Sequence, residues 1–364
     1  MAQPSLSPRK NNMKAGILMN MRPILGITMG DPAGIGPEIV VKALSTKTVY
    51  ENSRPLIVGN LHVVKRALSV LGLPLSLHEV KEVEEALFTH GTVDVLNVTD
   101  LSLDEVPYGE VSLLGGKAAF EAVKKVIELA MDKKIDATIT GPLNKEALNK
   151  AGYHFNGHTE IYAEYTGSKN YSMMLAHDHF RVVHVSTHVS LRKACDLVKK
   201  ERVLNVIEIA QQACLSLGIK KPRIAVAGLN PHSGEGGLFG DEEILEIIPA
   251  IEEARKRGYQ VDGPVPPDTV FAKANGGQYD IVVAMYHDQG HIPMKVVGFQ
   301  MDQDTGRWKA VNGVNITLGL PIIRSSVDHG TAFDQAGKGT ASEESMLNAI
   351  AYGIDLAKAK EEGR

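Results

Sequence analysis

Short apolar runs alternate with amphipathic stretches along almost the whole chain, and this alternation is the feature that most restricts its fold. The short runs suit buried strands, whereas the longer stretches carry apolar residues at helical spacing. Strands that alternate with helices predict an α/β fold in which helices cross over a sheet. The predicted strands are Ile24–Thr28, Pro55–Val58, Val93–Val98, Ala137–Thr140, Val182–Val185, Arg223–Ala227, Asp280–Met285 and Asn315–Leu318, and the predicted helices are Lys117–Met131, Arg192–Leu217 and Ser342–Ala359.

The length of the chain and its first segment indicate how this fold is divided. A chain of 364 residues is too long for one small core and fits two lobes of roughly 150–200 residues each. In segment 1–22, basic residues precede only a short apolar stretch, Ala15–Met19, which is too short for the core of a signal peptide. We therefore expect residues 1–22 to be a disordered extension.

Charge and cysteine content exclude several classes of function. The net charge of -4, from 39 basic and 43 acidic residues, provides no global basic field for a nucleic acid, although a local anion pocket remains open. Cys195 and Cys214 cannot staple a chain of this size and lie in no CxxC pair, which indicates a reducing compartment. No apolar run approaches the roughly 18–20 residues that span a bilayer. We expect a cytoplasmic protein that binds neither nucleic acid nor membrane.

The turn after the first strand, Met29–Gly36, is rich in glycine but matches neither nucleotide-binding fingerprint. A GxGxxG motif that starts at Gly34 needs glycine where Ile39 stands, and a P-loop needs lysine where Pro37 stands. The turn can hold an anion at the start of the next helix, or it can be a tight connection that only glycine allows. The sequence favours neither interpretation.

Three of the 13 histidines share one sequence context. His188, His232 and His287 each follow an apolar strand by a few residues. Ligands of open α/β sheets bind beyond the carboxyl ends of the strands, and three imidazoles there can form a divalent-metal site with open positions. A single histidine is more often a hydrogen-bonded structural residue, so this prediction depends on the repeated context. His184 alternates within its strand and is predicted to be a core residue.

Groups suited to an anionic substrate occur in the same parts of the sequence. Gly157–Glu160 follows a turn and opens a helix, so its amides and hydroxyl can meet a phosphate or a carboxylate. Lys295 and Asn315 lie near the third histidine in sequence. Apolar residues before Arg324 indicate a partly buried guanidinium, which needs an anionic partner. Adjacent acids can orient a ligating imidazole or cap loops. These acids are Asp268, Asp288 and Asp328.

Eight segments together resemble the 4-hydroxythreonine-4-phosphate dehydrogenase family. They are ITMGDPAGIGPEI (27–39), TGPLNKEAL (140–148), GHTE (157–160), STHVSLR (186–192), GLNPHSGEGGLFGDEE (228–243), GPVPPDT (263–269), AMYHDQGHIPMK (284–295) and GVNITLGLPIIRSSVDHGTAFD (313–334). They span almost the whole chain after Pro23, and their combination is highly specific.

This resemblance implies a three-layer α/β/α fold with two lobes, similar to isocitrate and isopropylmalate dehydrogenases. By this analogy, residues 23–145 and 312–364 form the first lobe and residues 146–311 form the second, with the active site in the cleft between them. The resemblance also implies a homodimer in which the two subunits share each active site.

The resemblance further implies the residues of the site. The metal ligands are His188, His232 and His287, contributed from both subunits, and zinc is preferred over magnesium, manganese or cobalt. The substrate contacts are His158, Thr159, Lys295, Asn315 and Arg324. The candidate catalytic residues are Lys295, Asp288 and Asp268. NAD is the expected hydride acceptor, and the residues that hold it are not assigned.

One segment, Gln300–Val311, departs from the family pattern. It is polar, contains the single tryptophan of the chain and has a turn signal at Asp304–Gly306. It therefore predicts an inserted hairpin between Lys295 and Asn315, and a surface loop is favoured over a functional lid.

The family has branches with different substrates. HDQGHIPMK, GLFGDEE and SSVDHGTAFD are closer to the branch that acts on 4-phospho-D-threonate or 4-phospho-D-erythronate. We therefore expect NAD-linked oxidation of a phosphorylated four-carbon hydroxy acid, followed by loss of CO2. The alternatives are the 4-hydroxythreonine-4-phosphate dehydrogenase of pyridoxal phosphate biosynthesis, a cis-dihydrodiol carboxylate dehydrogenase, phosphate acyl transfer on a related fold, and a phosphometabolite-binding protein without enzymatic activity.

Overall fold

A computed structural model describes residues 22–298, 300–301, 308–309 and 313–362. The strands are β1 (Ile24–Thr28), β2 (Arg54–Gly59), β3 (Ser76–Val80), β4 (Thr92–Asn97), β5 (Ala137–Thr140), β6 (Ser172–His177), β7 (Phe180–His184), β8 (Arg223–Ala227), β9 (Gln260–Val265), β10 (Ile281–Ala284), β11 (Gln300–Met301), β12 (Trp308–Lys309), β13 (Val314–Leu318) and β14 (Ile323–Val327). The α-helices are α1 (Gly36–Leu44), α2 (Lys47–Asn52), α3 (Leu61–Leu71), α4 (Leu113–Met131), α5 (Lys145–Lys150), α6 (His158–Thr166), α7 (Leu191–Leu197), α8 (Lys200–Ser216), α9 (Ile248–Lys256), α10 (Pro267–Asn275), α11 (His287–Gly298) and α12 (Glu344–Glu362). The predicted α/β fold class is confirmed.

Within the described ranges, twelve strands form one sheet in the order β3-β4-β2-β1-β5-β14-β13-β6-β7-β10-β8-β9. β1, β2, β5 and β14 are mutually parallel. β13 is antiparallel to both β14 and β6, and β6 is antiparallel to β7. β7, β10 and β8 are again mutually parallel. The carboxyl ends of β7, β8 and β10 therefore lie at the end of the sheet opposite to the carboxyl ends of β1 and β5.

One face of this sheet is covered by a continuous apolar core. Leu25 and Ile27 of β1, Val283 of β10 and Ile316 of β13 belong to the same buried cluster, together with residues of α1, α8 and α12. None of these four side chains is more than 1% exposed. Each such burial contributes about 1.5–3 kcal/mol, so this core holds the two halves of the sheet together.

The other face carries two separate cores with a gap between them. Leu56 and Val58 of β2 pack with α4 in one core, and Val182 of β7 and Val282 of β10 pack with α10 in the other. Between them, the paired central strands β5, β14 and β13 present polar side chains on this face. These side chains are Thr138, Thr140, Asn315, Thr317, Arg324 and Ser326. We call this region the polar gap.

Some strand predictions agree with the structure and others do not. Ile24–Thr28, Ala137–Thr140 and Arg223–Ala227 have the predicted bounds, and the remaining predicted strands shift by one or two residues at their ends. The prediction lacks β3, β6, β9 and β14. β14 escapes it because Arg324 and two serines interrupt the apolar pattern, although all three side chains are buried.

The prediction of one helix over Arg192–Leu217 is wrong. α7 ends at Leu197 and α8 begins at Lys200, because Val198 and Lys199 leave the helical conformation. Val198 is 0% exposed in the continuous core, so the break buries this side chain between two helices. The predicted helix that begins at Lys117 instead begins earlier, at Leu113.

The reason for that earlier start is a cap. Ser112 accepts a hydrogen bond from the Gly115 amide at 2.9 Å, and such caps favour the start of a helix. The last helix is Glu344–Glu362 rather than Ser342–Ala359, a shift at both ends.

The remaining organisational predictions stay open. In the inserted segment, β11 and β12 pair in antiparallel fashion, and its other residues lie outside those described. Residues 1–21 of the predicted extension also lie outside the described ranges. The division into two lobes stays a prediction. Among the described residues, no helix combines the length and the apolar character needed to cross a membrane.

Candidate active site

The three strand-end histidines lie at one end of the sheet, because β7, β8 and β10 are parallel. His188 and His287 are close together, with ring centroids 5.6 Å apart. His232 lies in the turn Pro231–Gly237 after β8. Within the part of the chain that the structure describes, no group of three His, Cys, Asp or Glu side chains can hold a metal ion. One subunit therefore brings two of the three imidazoles together, and their role as metal ligands stays a prediction.

Each of these imidazoles has a carboxylate beside its Nδ1 atom. The Nδ1–carboxylate pairs are His287–Asp288 at 2.7 Å, His232–Glu235 at 3.1 Å and His188–Glu160 at 3.8 Å. A carboxylate that accepts the Nδ1 proton leaves Nε2 as the metal-binding atom, which is a common arrangement around metal-bound histidine. The donor set therefore fits a divalent metal, and the distance of 3.8 Å makes the third pair the loosest.

Two more imidazoles lie behind His287. His291 stacks on it with ring centroids 3.6 Å apart, and His184 lies 4.8 Å from His291. The Nδ1 of His184 donates to Met173 O at 3.1 Å, and that of His291 donates to His287 O at 2.9 Å. Burial lowers the pKa of His184 to about 4 and that of His291 to about 3, so both are neutral near pH 7. His184 is 1% exposed, in agreement with its predicted core position.

Arg324 lies in the polar gap and is 3% exposed. Its Nη1 donates to Thr317 Oγ1 at 2.7 Å and its Nη2 donates to Thr140 Oγ1 at 3.2 Å, whereas its Nε is buried without a partner. Burial lowers the pKa of Arg324 to about 10, which still leaves the group charged at neutral pH. The Glu160 carboxylate raises the pKa of Arg324 from a distance, and its own ion pair among the described side chains is with His188 at 3.8 Å. Buried charges are normally paired, so this guanidinium fits an anionic ligand.

Other buried polar atoms around the gap also lack partners. They are His158 Nε2, Asn315 Oδ1 and Glu160 Oε2. Burial lowers the pKa of His158 well below its ordinary value, and the charge of Arg324 lowers it further. Each unpaired buried group costs about 1–3 kcal/mol. The gap is therefore suited to a polar ligand with both negative charge and hydroxyl groups.

A cavity of about 340 Å³ lies beside this region and is lined by Thr159, Glu160, His184 and His188, among others. Burial raises the pKa of Glu160, but His188, its own backbone amide and Lys145 outweigh that effect, so the net pKa lies below the ordinary value. Glu160 is therefore a carboxylate near pH 7. It links the cavity to the histidine pair.

The candidate catalytic residues are not all brought together. Lys295 Nζ lies 3.6 Å from Asp328 Oδ2, and burial raises the pKa of Asp328 although Lys295 opposes this. Asp288 holds His287. Asp268 is exposed in the first turn of α10, a helix that packs against the His232 turn. The helix that carries Asp268 therefore contacts the turn of the third histidine.

The glycine turn after β1 lies at the opposite end of the sheet and packs on the chain itself. A Cβ atom would lie 2.4 Å from Pro142 O at Gly30, 2.8 Å from Thr331 O at Gly34 and 2.3 Å from Met29 O at Gly36. No side chain fits at these distances. The structure therefore favours the tight connection over an anion cradle.

Sequence reasoning misses several residues that shape the site. Thr140 and Thr317 hold the Arg324 guanidinium, and the Tyr162 ring lies 5.6 Å from it. Tyr162 donates to Thr138 Oγ1 at 2.8 Å, and burial raises its pKa to about 12. The sequence predicts the strand that ends at Thr140 and the start of the helix that carries Tyr162, but not these side-chain contacts. Their contact with Arg324 depends on the position of β14.

Known proteins resemble this chain over nearly its whole length. The family model described as "Pyridoxal phosphate biosynthetic protein PdxA" matches residues 51–353. A D-threonate 4-phosphate dehydrogenase of Cupriavidus necator is 48% identical, over 92% of this chain and 97% of its own. The solved structure of a 4-hydroxythreonine-4-phosphate dehydrogenase from Klebsiella pneumoniae is 42% identical with a TM-score of 0.80, over 92% of this chain and 99% of its own. A terephthalate 1,2-cis-dihydrodiol dehydrogenase structure from Burkholderia xenovorans is 30% identical with a TM-score of 0.64, over 92% of this chain and 98% of its own.

Proposed function

The chain belongs to the PdxA family of pyridoxal phosphate biosynthetic proteins, and from this membership we propose that it oxidises a 4-phosphorylated four-carbon hydroxy acid. The proposed substrate is 4-phospho-D-threonate or 4-phospho-D-erythronate, and the proposed hydride acceptor is NAD. The observation that carries this proposal is Arg324, a charged group 3% exposed with an unpartnered Nε. The relative named for D-threonate 4-phosphate, at 48% identity, supports this substrate class.

In this proposal the polar gap binds the phosphorylated end of the substrate. Arg324 supplies charge, and the His158–Thr159 start of α6 supplies a donor and a hydroxyl beside it. Asn315 has a free acceptor, Oδ1, for a substrate hydroxyl. A guanidinium held by two threonine hydroxyls is fixed in orientation, so it binds an anion without having to reorganise.

The proposed metal site uses His188, His287 and His232, with zinc preferred and magnesium, manganese or cobalt as alternatives. A homodimer would complete it, because one subunit brings only the first two together. Exposed apolar side chains near these histidines support such an interface. They are Leu191, Leu238, Phe239, Ile244, Leu245, Ile292 and Val296, each 46–74% exposed.

A divalent metal held by His188, His232 and His287 would lower the pKa of the substrate hydroxyl, whose proton would leave to solvent, and NAD⁺ would supply the acceptor for the hydride of the hydroxyl-bearing carbon. The chain itself orients the substrate through Arg324 and Asn315. Lys295, held beside Asp328, serves as a cation near the reacting oxygens or as the proton donor after loss of CO2 from the β-keto acid. Asp288 and Asp268 are proposed as further catalytic residues, which would orient the ligating imidazoles. The residues that hold NAD are not assigned.

Two relatives give specific alternatives. The Klebsiella pneumoniae structure favours 4-phosphooxy-L-threonine, which carries an ammonium in place of one hydroxyl. The Burkholderia xenovorans structure favours an aromatic cis-dihydrodiol acid, at lower identity. Phosphate acyl transfer and simple binding of a phosphometabolite need neither metal nor NAD.

We also propose that the protein is located in the cytoplasm.

The test is absorbance in the NADH band with purified protein, NAD⁺ and a divalent metal. 4-Phospho-D-threonate, 4-phospho-D-erythronate and 4-phosphooxy-L-threonine are offered separately. Turnover of the first two, abolished by a chelator and restored by metal, is the expected result. Turnover of 4-phosphooxy-L-threonine alone would instead indicate a 4-hydroxythreonine-4-phosphate dehydrogenase of pyridoxal phosphate biosynthesis. If none of the three compounds is turned over while metal is bound, both the phosphorylated sugar acids and 4-phosphooxy-L-threonine are contradicted as substrates. That result would favour the dihydrodiol acid.

A further inference from the structure

Glu235 is an exposed carboxylate that contacts His232 in a turn of unusual backbone conformation. The Nδ1 of His232 donates to Glu235 Oε2 at 3.1 Å. Both residues lie in the left-handed region, at φ 51° for His232 and φ 44° for Glu235, as does Ser233 at φ 56°. Residues other than glycine adopt this region only when the surrounding structure imposes it. The backbone of the turn therefore brings Glu235 within reach of His232, and the two side chains meet at the surface, where they are 66% and 57% exposed.

The surrounding structure that imposes this turn is a buried carboxylate. Glu243 is 1% exposed and its Oε1 accepts from the Leu229 amide at 2.7 Å and the Asn230 amide at 2.8 Å. Its Oε2 also accepts from the side chain of Asn230 at 2.9 Å. Glu243 thus fixes the start of the turn, and the left-handed residues that follow carry Glu235 back to His232.

The same arrangement occurs at another histidine on a different element. His287 donates from Nδ1 to Asp288 Oδ1 at 2.7 Å. Because an ionised carboxylate only accepts hydrogen bonds, each ring donates from Nδ1, and in a neutral imidazole the lone pair is then on Nε2. Two histidines on separate elements, one in the turn after β8 and one at the start of α11, are therefore held through Nδ1 in the same way.

We propose that Glu235 is a positioning residue for metal binding, which holds the His232 ring with Nε2 directed outward as a ligand, in the way that Asp288 holds His287. This inference depends on the three-histidine site of the proposed function. In this proposal Glu235 is not itself a metal ligand. Its effect is on the orientation and the donor strength of the imidazole.

The experiment measures Zn²⁺ affinity of the metal-free full chain by competition with a chromogenic chelator. The variants are Glu235→Gln, His232→Ala and the matched control Glu242→Gln. Glu242 is a half-buried carboxylate of the same region that accepts from Asn230 Nδ2 at 2.7 Å, and His232 is paired with Glu235 rather than with it. Cobalt absorption of each variant is a second readout, because the d–d bands report the donor strength of the ligands.

Glu235→Gln is expected to weaken Zn²⁺ binding by about 10–100-fold with unchanged stoichiometry and shifted cobalt bands. Glu242→Gln is expected to bind like the wild type. Wild-type affinity in Glu235→Gln, with binding lost in His232→Ala, would overturn the inference and leave the histidine site standing. Equal weakening in both glutamine variants would also overturn it, because net charge would then explain the loss. Unchanged binding in His232→Ala would overturn the site itself and the inference with it.

Discussion

The two faces of the central strands bury different kinds of side chain. On one face, Val314, Ile316 and Val327 join the continuous core. On the other face of the same strands, Asn315 and Arg324 lie in the polar gap and have buried polar atoms without partners. The strands are the same, and only the direction of alternate side chains differs.

The two faces of the same strands therefore serve different purposes: one face stabilises the fold, and the other is available to bind a ligand. Each apolar side chain on the continuous face contributes about 1.5–3 kcal/mol, whereas each unpartnered polar atom in the gap costs about 1–3 kcal/mol. A costly buried group persists where a ligand needs it. The comparison therefore predicts that the two faces respond oppositely to substitution.

Arg324→Met is expected to have the largest effect. Methionine fills similar space but removes the charge, so kcat/KM for the phosphorylated acid should fall about 1000-fold, or about 4 kcal/mol. The free energy of unfolding should stay equal or rise, because an unpaired buried charge is removed. Steady-state kinetics and urea unfolding measure both quantities. A variant with wild-type kcat/KM would show that Arg324 does not bind the phosphate.

Asp31→Asn tests whether buried polar groups away from the gap also cost stability. Asp31, in the glycine turn, is 1% exposed, accepts from the Ala33 amide at 2.9 Å and has an unpartnered Oδ2. Burial raises its pKa from 3.8 to about 6, although the Ala33 amide opposes this. The folded pKa lies above the unfolded value, so its contribution to stability is complete below about pH 4 and is lost as pH rises through about 6.

Asparagine keeps the acceptor for Ala33 and removes the charge. The variant should therefore match the wild type near pH 4 and exceed it by about 3 kcal/mol at pH 8. Urea unfolding at several pH values between these limits measures the difference. A difference that does not change with pH would exclude the buried carboxylate as its source.

Ile316→Val is the smallest change and probes the apolar face. Ile316 is 1% exposed, so loss of one methylene should lower the free energy of unfolding by about 0.5–1.5 kcal/mol. Substrate turnover should stay within about twofold of wild type, because the side chain faces away from the gap. A large loss of kcat/KM without loss of stability would remove the distinction between the two faces.

Local pattern predicted much of this fold. The strand that ends before the glycine turn and the strand that precedes the His232 turn have their predicted bounds, since both are short apolar runs with clear ends. The break at Val198 was not predictable, because an apolar residue at helical spacing is indistinguishable from one that leaves the helix to enter the core. β14 was missed for the opposite reason, since its buried polar residues resemble a loop.

In the candidate site, too, local sequence signals were sufficient for some residues and not for others. His188, His232 and His287 were found from their position after strands, a local signal. The partners of Arg324 were not, because Thr140 is separated from it by 184 positions in sequence. The contact between Glu235 and His232 also escaped prediction, because left-handed backbone at residues other than glycine has no sequence signature.

The sequence by itself determined eight of the twelve strands of the large sheet, to within two residues at each end, and which histidines follow strands. It did so because side-chain burial imposes a period on neighbouring residues. Only the tertiary structure decided that β14 lies between β5 and β13, that the strands carrying the histidines run opposite to β1, and that a polar gap separates two cores. Strand order and direction depend on contacts between residues distant in sequence, and those contacts leave no local pattern.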